Sequence, residues 1–246
     1  AKLSTAYSTA FNYFEQAISS LEEGSWRKNY SFTLSLYDQT SETAFLSGQY
    51  EVMEKFIKEI LKHSTTTLDK VKALEIRTNA LFTEQKLVES VQSGLEALGL
   101  LGMKLPANPS QMTVVLELLK TKQALKKLSP EALLRLPAMT DRTELAKMRI
   151  MATLAPALFF TNPNLFPIML FRMTVTSAQH GIASSSAYAF GSFGFVLCGV
   201  TGEVAKGIEF GELALNLIHE RNFNEYQARA LFVVRYFIDH WYKPMV

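Results

Sequence analysis

The stretch Gly48-Gln49-Tyr50-Glu51-Val52-Met53-Glu54-Lys55-Phe56-Ile57-Lys58-Glu59-Ile60 decides the fold class. Its glycine marks a tight joint, and Tyr50, Met53, Ile57 and Ile60 then recur at the three- and four-residue steps of one helix face. The same layout returns at Gln85, Leu87, Ser90, Gly94 and Ala97, 37 residues later. It returns again at Gly202, Val204, Gly207, Gly211 and Ala214 after a further 117 residues, which is three steps of 39. The Asn162-Pro163-Asn164 break falls one such step before Gly202, and Ser129-Pro130 falls near the remaining one.

Working outward, the rest of the chain is helical in pattern and no strand-like alternation lasts. Leu3, Tyr7, Ala10, Phe11, Phe14, Ile18 and Leu21 lie on one face of a first helix, with Gly24 as its expected end, and a second run spans 26–46. Further helices are expected at 50–61, 68–82, 87–101, 112–128, a short one at Pro130, 141–160, 165–179, 183–200, 204–219 and 225–242. Asp141 followed by Glu144 reads as a capping-box variant. Eleven or so helices with a joint every 37–39 residues imply stacked antiparallel pairs, because one pair cannot bury its own apolar face. The expected architecture is all-α: a right-handed superhelical, tetratricopeptide-like α-solenoid over 1–246. Sub-blocks at 1–102 and 111–246 are joined by a loop carrying Pro106 and Pro109. The tryptophan-leucine-glycine-tyrosine signature of the first helices is missing, so the array is irregular.

Composition narrows the function. Hydrophobic residues make up 48% of the 246 and charged residues 20%, enough apolar surface for a sizeable core. The net charge of +2 and the lack of a charged tail leave no footprint for nucleic acid or an anionic membrane. Lys120, Lys122, Lys126, Lys127 and Arg135 cluster in sequence but without interleaved aromatics, so they read as a solvated face. Between Met151 and Gly202 the only formal charge is Arg172, yet Pro156, Pro163 and Pro167 interrupt the run and argue against a membrane span. A single cysteine, Cys198, rules out an internal disulfide and reads as a small buried hydrophobe. No charged-then-apolar leader opens the chain, and the expected compartment is the cytoplasm. Both ends, Ala1-Lys2-Leu3 and Lys243-Pro244-Met245-Val246, read as cuts within a longer polypeptide.

Chemistry-bearing motifs are thin. His63, His180, His219 and His240 are far apart, and neither a phosphate loop nor a nucleophile elbow is present. The expectation is a non-enzyme with no catalytic residue, cofactor or metal. The row Ala187, Gly191, Gly194 and Cys198 allows close helix approach, with Phe190, Phe193 and Leu197 filling core beside it. A lone charge in an apolar layer makes Arg172 either a structural tie or an anion-binding residue. Arg172, His180, Tyr188 and Phe195 are therefore the candidate ligand- or partner-binding residues.

Several strings then resemble the helical region of large bacterial multidomain signalling ATPases. They include Phe45-Leu46-Ser47-Gly48, Leu100-Leu101-Gly102-Met103-Lys104-Leu105-Pro106, Leu136-Pro137-Ala138-Met139-Thr140-Asp141 and Ala146-Lys147-Met148-Arg149. Asn162-Pro163-Asn164-Leu165-Phe166, Phe210-Gly211-Glu212-Leu213-Ala214-Leu215 and Phe237-Ile238-Asp239-His240-Trp241 complete the series. In those proteins a protein-kinase-like domain and a STAND-type AAA ATPase precede the tetratricopeptide-like region, and a GAF sensor and often a histidine kinase follow. The resemblance implies a non-catalytic interaction and signal-relay scaffold whose partners are the parent's other domains or another protein. The alternative is an effector sensor, binding an apolar or anionic small ligand between the central helices near Phe190 to Phe195.

Overall fold

The computed structural model describes residues 6–106 and 108–242, and among them the chain is all-α with no strand. It divides into two compact units, residues 1–105 and 106–246.

In the first unit, α1 (Tyr7–Ser19) is followed by a single turn α2 (Ser25–Lys28), then α3 (Tyr30–Leu46), α4 (Tyr50–His63), α5 (Thr67–Thr83) and α6 (Leu87–Leu100). The run expected at 26–46 is split at Asn29, and Gly24 opens α2 in the left-handed region rather than closing α1, which stops at Ser19. The part of the first helix expected at Leu3 lies outside the described residues. Thr66 and Asp69 form a reciprocal capping box at the start of α5. Small hydroxyls stitch α5 to α6. Thr78 Oγ1 donates to Ser93 Oγ at 3.0 Å, Ser90 Oγ to the Thr78 carbonyl at 2.9 Å and Ser93 Oγ to the Leu74 carbonyl at 3.4 Å. One index falls as the other rises, so α5 and α6 run antiparallel. The core of this unit gathers Phe11, Ala44, Met53, Ile57, Ile60 and Ala73.

Three joints carry the repeat. Gly48, Gln85 and Gly202 all have positive φ (77°, 61° and 72°), and α4, α6 and the helix at Val204 each begin two residues later. Gln85 is not a glycine and still takes the left-handed turn.

Asp38 in α3 is a buried carboxylate. Its Oδ2 accepts from Lys72 Nζ at 2.8 Å, and its Oδ1 has no hydrogen-bond partner. Burial pushes the carboxyl up more than Lys72 pulls it down. The folded state therefore holds this proton more tightly than the unfolded chain, and stability falls as pH rises through the elevated folded value. Asp38→Asn removes that pH dependence, and Lys72, 47% exposed, turns to water. Denaturant titrations across pH 4–8 are expected to show a flatter pH profile for Asp38→Asn and a gain of about 1 kcal/mol at neutral pH.

The second unit runs α7 (Gln111–Leu125), α8 (Pro130–Leu134), α9 (Arg142–Thr161), α10 (Leu165–His180), α11 (Ser186–Val196), a π turn at Leu197–Thr201, α12 (Val204–Arg221), α13 (Gln227–Phe237) and a 3-10 turn at Asp239–Trp241. The long helices expected at 183–200 and 225–242 thus end in tighter or wider turns. Ser129 and Asp141 cap α8 and α9, and Asp141 Oδ1 accepts from the Thr143 and Glu144 amides at 2.7 and 3.0 Å. Hydroxyls stitch α10 to α11 as they do in the first unit. Ser177 Oγ meets Ser186 Oγ at 2.8 Å, and Thr174 Oγ1 reaches the Ala189 carbonyl at 3.3 Å.

Pro156 does not interrupt α9. A proline lacks the N–H that would serve the carbonyl four residues back. Arg229 of α13 supplies it instead, its Nη1 donating to the Ala152 oxygen at 2.7 Å. Gly181 (φ +99°) closes α10, and a Cβ there would lie 2.6 Å from the Pro137 oxygen. That close approach lets Ile182 N donate to Pro137 O (2.8 Å) and Met139 N to Ile182 O (2.9 Å), an isolated bridge that periodicity did not anticipate. Among the described residues no helix is long and apolar enough to cross a membrane.

Candidate interaction site

Helix α7 carries two apolar faces. Leu118, Thr121 and Leu125 are buried on one side, while Met112, Val115, Leu116 and Leu119 on the other are between 49% and 67% exposed. The exposed set follows i, i+3, i+4, i+7, so it forms one stripe. The stripe continues into Lys122, Gln123 and Lys126, and the only acid on α7, Glu117, is buried. The outward face of α7 is therefore apolar in its first two turns and cationic in its last.

Two contacts tie α7 to α10. Asn164 Nδ2 donates to the Pro109 carbonyl at 2.9 Å, and Arg172 Nη2 meets Glu117 Oε2 at 2.8 Å. Both pairs differ by 55 in sequence, so α7 and α10 lie side by side in the same direction. Glu117 also accepts from Lys120 at 2.8 Å. This is how the lone charge of the apolar layer is accommodated: Arg172 ties α10 to α7, with its Nε buried and without a hydrogen-bond partner.

Beyond Leu119 the stripe leads into a cleft of about 620 Å³ between α7, the turn before α8, and α11–α12. Phe193, Leu197 and Phe210 line it from α11, the π turn and α12, and Leu119, Leu125 and Leu128 from the α7 side. Lys122, Lys126, Lys206 and Glu203 bring charge to it. Glu203 is the hub, accepting from Lys122, from Lys206 Nζ at 3.0 Å and from Thr201 Oγ1 at 3.0 Å. The Lys122 hydrogen bond, followed by that of Lys206, holds the Glu203 carboxyl down to about 2. It is ionised throughout the neutral range. Lys126 has no ion pair among the described residues.

The four residues expected at the site are not brought together. Arg172 sits between α10 and α7. His180 is exposed at the far end of α10, and adds a minor part to the lowering of the Asp141 carboxyl that the Glu144 and Thr143 amides produce. Tyr188 is buried in α11, and burial pushes its phenol up. The Phe195 ring packs on Phe237 at 4.7 Å and does not line the cleft. Of the Phe190-to-Phe195 region expected to hold a ligand, Phe190 and Phe193 are both fully buried, and Phe193 alone forms part of the cleft's floor. The small-residue row does set helix approach, since a Cβ on Gly194 would lie 2.6 Å from the Gly207 oxygen. Among the described residues no group of three or more His, Cys, Asp or Glu side chains could hold a metal ion.

Sequence reading missed the stripe. The signal was present in 112–119, where six of eight residues are apolar and spread around the whole helix. Such a segment has more apolar faces than one neighbour can cover.

Across 88% of its length, the chain is 21% identical to hybrid signal transduction histidine kinase G of Dictyostelium discoideum. It spans about 7% of that relative's length. No protein-family profile matches the chain, and no solved structure does.

Proposed function

We propose that this chain is a non-catalytic interaction and signal-relay module of a larger signalling protein, and that it holds a partner helix along α7. The observation that carries the reading is the exposed Met112–Val115–Leu116–Leu119 stripe running into Lys122 and Lys126. A stripe of this spacing suits a helix laid alongside it, and exposed apolar ridges of this kind mark interaction surfaces. Lys126, at the end of the same face and without an ion pair among the described residues, selects the partner: an amphipathic helix with an apolar stripe and acidic residues toward one end. Likeness to a signalling kinase supports a place in signal transduction.

In this reading the partner helix belongs to another domain of the parent or to a second protein. Nucleic acid and membrane are not partners, no cofactor is needed, and the module works in the cytoplasm. The parent architecture that the resemblance implies, a nucleotide-dependent switch upstream and sensor or kinase modules downstream, gives the relay its input and output. Stacked antiparallel pairs in a superhelix would carry that relay. A partner that binds one state of such a stack more tightly shifts the populations of both.

The test is a photoreactive phenylalanine in place of Leu116, activated in cells, with the cross-linked segment identified by mass spectrometry. The expected product is a helix-forming segment with apolar residues at helical spacing and several acids. The same substitution at exposed Lys55 of α4 is expected not to give it. A basic or non-helical segment, or the same products from both positions, would count against the reading.

A further inference from the structure

The cleft between α7 and α12 shares Leu119, Lys122 and Lys126 with the outer stripe, and adds to them the Glu203–Lys206 pair and an apolar floor that the docking of a helix on the stripe does not use. We propose that it is a binding site for an amphiphilic monoanion, a molecule with one carboxylate-like head and an aliphatic or aromatic body. Its volume of about 620 Å³ is within the roughly 300–1,000 Å³ typical of small-molecule sites. Leu119 and Leu128 offer apolar surface at its rim, over a floor formed by the buried Leu125, Phe193, Leu197 and Phe210.

The polar groups are not spread evenly. Lys122 and Lys206 come from two different helices and meet on one carboxylate, Glu203. Their ammonium groups are thus within a few ångströms of a common anion position that the protein fills with its own side chain. Lys126 stands one helical turn beyond Lys122, lines the same cleft and has no ion pair among the described residues. Three lysines face the two acids Glu203 and Glu209, so one positive charge is left over. An incoming carboxylate takes Lys126 and shares Lys122 and Lys206 with Glu203, while its apolar body displaces water from Leu119 and Leu128 at the rim. The π turn at Leu197–Thr201 sits where wall and charge cluster join. Such turns are frequent at functional sites because they set a side chain out of helical register. Here the segment carries both Leu197 of the lining and Thr201, which binds Glu203.

Glu203 makes the proposal testable in both directions. Glu203→Gln keeps hydrogen-bonding capacity but removes the competing charge, so the two lysines become available to a ligand. The measurement is calorimetric titration of the full chain with octanoate, 1-octanol and octyltrimethylammonium. Saturable one-site binding is expected, with octanoate tighter than the other two by about fivefold or more. The Lys126→Gln/Lys206→Gln chain is expected to lose that preference, Glu203→Gln to tighten octanoate alone by about fivefold, and Leu116→Asp to leave octanoate binding unchanged. The last arm separates this site from helix docking on the stripe. Equal binding of the three probes, a preference that survives the double lysine substitution, no gain in Glu203→Gln, or no saturable binding each overturns the proposal.

Discussion

A single methyl group added at Gly207 is expected to cost about 3 kcal/mol of stability, the upper range for overpacking a close contact. A Cβ there would lie 2.3 Å from Cys198 Sγ, 2.7 Å from the Gly194 oxygen and 3.1 Å from Cys198 N. Two of those three atoms are backbone, so no rotamer change relieves the clash and α11 must move away from α12. That separation loosens the seat of Phe210, whose ring lies 5.0 Å from Phe193 and 6.1 Å from Phe190. Gly194→Ala meets the reciprocal contact, 2.6 Å from the Gly207 oxygen, and is expected to cost a similar amount. Gly199→Ala is the internal comparison, since its Cβ would touch only the Phe195 ring, at 3.4 Å. It should be within about 1 kcal/mol of the parent chain, in line with helix propensity alone. Urea unfolding followed by circular dichroism separates the cases. Equal stability for Gly207→Ala and Gly199→Ala would mean that α11 and α12 do not cross as closely as described.

These glycines show what the sequence made legible. The row Ala187, Gly191, Gly194 and Cys198 announced a close crossing, because small residues at helical spacing have little other use in a buried helix. The partner surface was also visible, as Gly207 and Gly211 in the next helix. The joints were legible for a related reason: a left-handed turn two residues before a helix favours glycine, and Gly48 and Gly202 mark it. Gln85 shows the limit, since only its spacing from the other joints gave it away. The break at Asn29 was not legible, and although the pattern over 141–160 reads as one helix through Pro156, what lets the helix pass that proline was not legible either. The second depends on Arg229, 77 residues away, offering a donor to one carbonyl.

The candidate site was harder to read for a different reason. Arg172 drew notice as an isolated charge, and the structure joins it to Glu117, 55 residues earlier. A pairing at that distance leaves no local pattern. His180, Tyr188 and Phe195 share a place in the apolar centre of the sequence, yet His180 ends up exposed, Tyr188 buried and Phe195 packed on Phe237. The cleft could not be inferred from any one segment, because its lining comes from α7, the turn before α8, α11, the π turn and α12. The stripe on α7 was in plain view as six apolar residues in eight, yet burial was needed to learn which of them stay uncovered.

The largest functional effect is expected at Leu116. The residue sits in the middle of the stripe and is half-exposed, so Leu116→Asp should leave unfolding nearly unchanged, within about 0.5 kcal/mol. In a docked helix interface the same carboxylate would be desolvated against apolar side chains and would face an acidic partner. Both effects weaken binding, and together they are expected to cost about 3 kcal/mol, a loss on the order of 100-fold in affinity. Lys126→Glu, at the charged end, should act mainly on the association rate and its salt dependence. The decisive measurement is the fluorescence anisotropy of a labelled peptide, taken from the segment cross-linked at position 116, titrated with the unchanged chain and with Leu116→Asp. Saturable binding to the first and roughly 100-fold weaker binding to the second, with matched melting curves, is the result expected from a helix held on α7. Equal affinity for the two chains would contradict it.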